Sequence, residues 1–138
     1  MLTVLEKVEI LQKVPLFRDV PTESLARIAA IAQEVALEPR KVLYKENEAA
    51  DTMFVVLEGE ISLVANGQER QKLGPHRVAG ALALLASTPQ PESAVALLPT
   101  VALEIDQQEF HDVMADDFNV TRGILRAVIR QMSAESQG

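Results

Sequence analysis

His76 and His111 are the only histidines, and the chain has no cysteine. Disulfides and thiolate metal sites are therefore excluded. A metal centre of the kind that barrel-shaped β enzymes use needs several imidazoles or carboxylates converging on one point. Two isolated histidines at unrelated positions do not supply that. No Ser/His/Asp constellation and no Gly-x-Ser-x-Gly turn is present, so a serine nucleophile activated by a neighbouring base has no place to form. The residues argue that the chain is not an enzyme. His111 belongs on the polar side of a helix, and His76 in a turn where it either approaches an anion or only serves the turn. Arg122, Arg126 and Arg130 recur at i, i+4 spacing, which puts three cations on one helix face. Such a row is a solvated face or a partner-binding one.

These residues sit among helices at both ends and strands between them. Residues 2–13 carry an amphipathic helical pattern, with Val4, Leu5, Val8 and Leu11 on one face and Glu6, Glu9 and Lys13 on the other. Pro15 stops it, and Pro21 suits the first position of a second helix, whose buried stripe is Leu25, Ile28, Ala29 and Ile31 or Ala32. From Val35 onward the period shortens. Strands are expected at 34–38, 42–45, 52–57, 60–65, 68–73, 93–98 and 101–105. Asn66-Gly67 is a strong hairpin signal, because a type I′ turn needs positive φ at both central residues. Glu58-Gly59 and Pro99-Thr100 mark further turns, and Gly59, Gly67 and Gly74 are turn residues rather than ligands. One short helical turn interrupts the strands at about residues 80–86. Asp106 and Glu109 have capping-box spacing and open a helix through about Met114. A last helix covers roughly 118–132, with Val120, Ile124 and Val128 in one row and Leu125, Ile129 and Met132 widening it. The fold class is mainly β with flanking α helices, and several short strands at this spacing suggest a sandwich or a barrel-like roll.

The chain of 138 residues, 48% of them hydrophobic, is one domain with a substantial core. Its parts are N-terminal helices over 1–33, a β-roll over 34–106 and C-terminal helices over 107–138. A net charge of −7 opposes attraction to phosphate backbones, and no dense Lys/Arg cluster offsets it, so nucleic acid is not an expected partner. Glu6 and Glu9 interrupt the apolar stretch that a signal peptide needs. No run approaches the roughly 18–20 apolar residues of a membrane span. The expectation is a cytoplasmic, soluble protein with no membrane insertion.

Residues 78–95 resemble the phosphate-binding cassette of the cyclic nucleotide-binding domain family, which runs Phe-Gly-Glu-x-x-Leu-Leu, a short loop, then Pro-Arg-Ser-Ala. Gly80, Leu84, Leu85, Pro91, Ser93 and Ala94 keep that frame. Other marks are similar to the family as well. Pro15-Leu16-Phe17 resembles its Pro-Leu-Phe, residues 42–51 its Ile-Leu-Phe-x-Glu-Gly-Asp-x-x-Asp, residues 54–61 its Tyr-Ile-Ile-x-x-Gly-x-Val, and Leu73-Gly74-Pro75 its approach to the cassette. The resemblance covers about residues 14–130 and implies the effector-domain fold of the catabolite activator type, a β-roll or jelly-roll-like double-stranded β-helix.

Several positions depart from the pattern. The family's cassette Glu falls on Ala81 and its Arg on Glu92. Two family glycines become Arg40 and Asn47, and a Gly-Asp pair becomes His76-Arg77. Asn tolerates the left-handed region and keeps its turn, whereas the turn at Arg40 is expected to differ.

By resemblance, the ligand-binding positions are Gly80, Ala81, Leu82, Glu92, Ser93 and Ala94, with Arg77 next to them. The backbone N–H groups after Gly80 would face a cyclic phosphate. Ala81 cannot accept from a ribose hydroxyl with its side chain. Glu92 removes a charge-assisted contact worth roughly 1.5–3 kcal/mol. It also adds a repulsion of roughly 4 kcal/mol at about 4 Å and an effective dielectric near 20. Even discounted for solvent, the loss is about a thousandfold, from micromolar to millimolar. Arg77 could swing in to hold a phosphate, or Glu92 could point to solvent.

The resemblance thus implies a regulatory or sensor module with lost or weakened cAMP and cGMP binding that acts through protein interaction. The alternative is a small-ligand sensor with an altered pocket, taking a neutral or cationic ligand or a phosphate held by Arg77. The resemblance implies no cofactor, and a cyclic nucleotide only as a ligand that Ala81 and Glu92 disfavour. In the family the last helix is a lid or dimer seam, so a protein partner or self-association through the C-terminal helix is the expected interaction. Residues after about 133 cannot supply a helix-turn-helix, so a chain ending here would not bind DNA by itself.

Overall fold

The computed structural model describes residues 1–137. Two helices, α1 (Val4–Leu11) and α2 (Thr22–Ile31), flank a 3-10 turn at Pro15–Phe17. Eight strands follow: β1 (Gln33–Leu37), β2 (Val42–Tyr44), β3 (Thr52–Glu58), β4 (Ile61–Ala65), β5 (Gln68–Leu73), β6 (Val78–Ala79), β7 (Ser93–Ala96) and β8 (Thr100–Asp106). Helix α3 (Ala81–Ala86) lies between β6 and β7, and α4 (Gln107–Asp116) and α5 (Phe118–Gln137) close the described chain.

The strands form two antiparallel four-stranded sheets, ordered β1-β8-β3-β6 and β2-β7-β4-β5. Two apolar clusters hold them. Phe54, Val56, Ile61, Leu63, Leu73, Ala94 and Ala102 fill one between the sheets. Leu11, Phe17, Leu25, Ile28, Met53, Leu103, Ile105, Phe110, Val120 and Ile124 belong to the other, where the helices meet the first sheet. This is the β-roll with flanking helices that the family resemblance implies.

Local signals account for most boundaries. Asn66 and Gly67 both have positive φ, 53° and 73°, and join β4 to β5 as expected of a type I′ turn. Asp106 caps α4 by accepting from the Glu109 N–H at 3.0 Å. Helix α1 starts at Val4 because Thr3 and Glu6 form a reciprocal capping box. Leu25, Ile28 and Ala29 are buried in α2 and Ala32 at its C-cap, as the stripe required.

Three expectations are corrected. Arg40 adopts φ 71°, so the left-handed turn persists with a side chain where the family pattern carries glycine. The Arg40 N–H donating to the Ala96 carbonyl at 2.8 Å holds it there. Val4 and Leu5 are exposed, and only Val8 and Leu11 of their face reach the core. Pro21 is the N-cap of α2 rather than its first residue. An eighth strand, β6, was not anticipated: two residues paired with Phe54 and Val55 are too short to show an alternation.

Candidate functional site

The cassette is built around Gly80, which stands in the left-handed region at φ 86° and turns the chain from β6 into α3. A side chain there would begin 3.2 Å from Gln90 Nε2, 3.2 Å from the Thr52 carbonyl and 3.3 Å from Tyr44 Cε2. Glycine is thus required twice, by conformation and by crowding. Helix α3 is anchored by Leu84, fully buried, and the Gln107 side chain donates to the Leu84 carbonyl at 2.9 Å. The loop that returns to β7 is tied to the loop after β2. Asn47 N–H donates to the Gln90 carbonyl at 2.7 Å, and Gln90 N–H to the Glu48 carbonyl at 2.8 Å. Asn47, at φ 71°, makes that loop as the sequence suggested.

Beside the cassette lies a cavity of about 710 Å³, within the usual range for small-molecule sites. Arg77, Gly80, Ala81, Leu82 and Glu92 line it. Ser93 and Ala94 are not among its lining residues. The Ser93 hydroxyl accepts from the Glu46 N–H at 2.9 Å, and Ala94 is fully buried between the sheets. His76 makes a left-handed turn at φ 71°, its N–H donating to the Val56 carbonyl at 2.8 Å.

Among the lining residues that sequence reasoning missed are Tyr44, Gln90, Arg18 and Arg130. Tyr44 pairs with Ala94 across β2 and β7, which sets it near Glu92. Only strand register could reveal that neighbour. Arg130 was assigned to a solvated or partner-binding row, yet it donates to Asp19 at 2.7 Å and joins the cavity wall with Ala127 and Gln131. Arg122 lies 5.9 Å from the Phe118 ring centroid and donates to Asn119. The row is therefore divided: Arg122 stays on its own helix, Arg126 is exposed, and Arg130 reaches Asp19 and the cavity.

Burial and the charge of Glu92, in that order, push the Tyr44 phenol well above its ordinary acidity range. Above pH about 10 the unfolded chain ionises its tyrosine while the folded chain does not. Tyr44 therefore contributes stability that is lost as pH rises beyond that point. Tyr44 is the sole tyrosine, so phenolate absorbance reports it alone. Glu92→Gln is expected to lower its titration midpoint while leaving it above that of free tyrosine, since burial remains. An unchanged midpoint would separate the two residues.

Helix α5 closes this side of the molecule. Val120 and Ile124 are buried on the domain's own core, and Val128 packs against its edge. Gly123 lets α5 meet the Asp19-Val20 backbone, where a Cβ would stand 2.9 Å from the Asp19 carbonyl carbon and oxygen. Phe118, Leu125, Ile129 and Met132 remain exposed along the helix.

Comparison with known proteins fits this geometry. The model of the cyclic nucleotide-binding domain matches residues 34–117. Potassium channel KOR2 of Oryza sativa subsp. japonica is 24% identical over 134 residues, covering 94% of this chain and 19% of the channel. Potassium channel SKOR of Arabidopsis thaliana is 27% identical over 124 residues, covering 86% and 15%. The chain thus spans less than a fifth of these relatives. The N-terminal domain of a transcriptional regulator from Streptomyces coelicolor A3(2) superposes with TM-score 0.78 at 26% identity, covering 93% of this chain and 92% of that one. A regulatory subunit of a cAMP-independent protein kinase A from Trypanosoma brucei, in a mutant bound to cAMP, shares the fold with TM-score 0.76 at 16% identity, covering 93% and 46%.

Proposed function

Because this chain belongs to the cyclic nucleotide-binding domain family, we propose that it is a non-enzymatic regulatory module whose affinity for cAMP and cGMP is lost or much reduced, and which signals through α5 to a protein partner or a second copy. The observation that carries this is the pair Ala81 and Glu92 on the cavity wall beside Gly80. An anionic phosphate brought to Gly80 meets a carboxylate instead of a guanidinium, and its ribose finds no carboxylate at Ala81. The residues present do not fit a cyclic nucleotide. The fold alone does not decide the ligand, since it also occurs in a kinase regulatory subunit described as cAMP-independent.

The exposed row Phe118, Leu125, Ile129 and Met132 supports the signalling half of the reading. An apolar stripe on a helix whose opposite side is already packed is suited to a further helix.

Calorimetric titration of the protein with cAMP and with cGMP tests the proposal. No heat of binding is expected in the micromolar range. Saturable micromolar binding of either nucleotide would overturn it, and Arg77 would become the first residue to substitute.

A further inference from the structure

Among the described residues the ion pairs are Arg27–Asp117, Lys72–Glu69 and Arg130–Asp19. Glu92, half-buried on the cavity wall, is in none of them. The Tyr44 ring and the Gln90 amide, the latter on a residue only 2% exposed, reach the same end of the cavity, where both approach Gly80. Arg18 and Arg77 also border the cavity, and the third arginine, Arg130, is held by Asp19. The remaining wall is largely apolar, with Leu63, Leu73, Val78 and Leu82.

A half-buried carboxylate that is in none of these ion pairs accepts most strongly from a cation, and a neighbouring aromatic ring favours an organic one. A hard metal ion is a poor match, because such ions take six or more oxygen ligands and no group of three or more Asp, Glu or His gathers among the described residues. An ammonium group fits better. It gains a charge-assisted hydrogen bond to the carboxylate and attraction to the ring face, while its organic body covers apolar wall. The cavity's size suits a drug-sized molecule.

We propose that the cavity binds a small organic cation, its ammonium head between Glu92 and Tyr44 and its apolar body against Leu63, Leu73, Val78 and Leu82. This rests on the reading that Glu92 has turned the pocket away from cyclic phosphates, and it adds the chemistry of what enters instead.

Tyr44 is the only tyrosine and there is no tryptophan, so tyrosine emission is a signal from this cavity alone. The experiment titrates the full chain with cyclohexylmethylamine, protonated at neutral pH, and with its neutral counterpart cyclohexylmethanol, following Tyr44 emission. The amine is expected to give a saturable change and to bind at least about tenfold more tightly than the alcohol, as a charge-assisted contact requires. In Glu92→Gln, whose fold is checked by its melting curve, the amine should fall to the level of the alcohol. Equal affinity for both probes, no saturable response to the amine up to roughly 50 mM, or selectivity that survives Glu92→Gln would each overturn the proposal. A parallel titration with cAMP separates the layers. Silence toward both amine and nucleotide defeats the cation proposal alone, whereas micromolar nucleotide binding defeats the reading beneath it.

Discussion

Phe110→Ala is expected to lower the unfolding free energy by about 3–5 kcal/mol, the range for emptying a buried aromatic site. Phe110 is fully buried on α4, and its ring lies 6.2 Å from that of Phe17, tilted by 47°. Phe17 is equally buried and belongs to the 3-10 turn ahead of α2. The pair therefore joins the two ends of the chain in the cluster where the helices meet the first sheet, and part of the loss is the edge-weighted attraction between rings. Around it stand Leu11, Leu25, Ile28 and Ile105, all essentially unexposed. Their backbones are fixed in helices and a strand and cannot collapse into the space. A domain of this size has about 5–15 kcal/mol in total, so the variant gives up a large fraction. Urea unfolding should show a lower midpoint with an unchanged slope. A loss under about 1 kcal/mol would mean that the two ends do not depend on this contact.

The double variant Ala81→Glu, Glu92→Arg is expected to raise cAMP affinity by about a thousandfold over the native protein, into the micromolar range. The argument runs through what the cassette retains. Gly80 still makes its left-handed turn, α3 still presents its first N–H groups, and the cavity volume is suited to a nucleotide. Ala81 is the first residue of α3, a position where a carboxylate is favoured by the helix dipole. At position 92 the change removes a repulsion and adds an attraction, the larger of the two corrections. The residues share one site, so the single variants need not sum to the double. Calorimetry on all three is the measurement. A folded double variant that remains silent would shift the explanation from charge to the walls, where Tyr44, Gln90 and Arg130 stand.

How much of this was legible depended on the range of the causes. The Asn66-Gly67 turn and the Asp106 cap are local chemistry and occur where the residues put them. The cassette was legible through the family resemblance, and the short helical turn expected at about residues 80–86 is α3, opened by Gly80. Arg40 was misjudged because a left-handed residue costs about 1–2 kcal/mol, and only a contact from afar, the Ala96 carbonyl, shows how the cost is met. Val4 and Leu5 kept the helical period but lie outside the reach of the core. The cavity's less obvious members were hidden for the same reason. Tyr44 comes near Glu92 through strand register, and Arg130 meets Asp19 across 111 positions of sequence.

With Gly123 seated against Asp19 and Val20 near one end of α5, a tilt of the helix at that point would make it a lever. Arg130 lies seven residues beyond, about 10 Å along the axis, and Gln137 fourteen residues beyond, about 21 Å. Tilting the helix about 10° at the fulcrum would carry Arg130 about 1.8 Å and the far end about 3.7 Å. The first displacement is enough to part Arg130 from Asp19, now 2.7 Å away, and the second is about the width of a side chain. Small work done at the cavity wall would thus arrive, doubled in stroke, at the far end of the helix near Gln137.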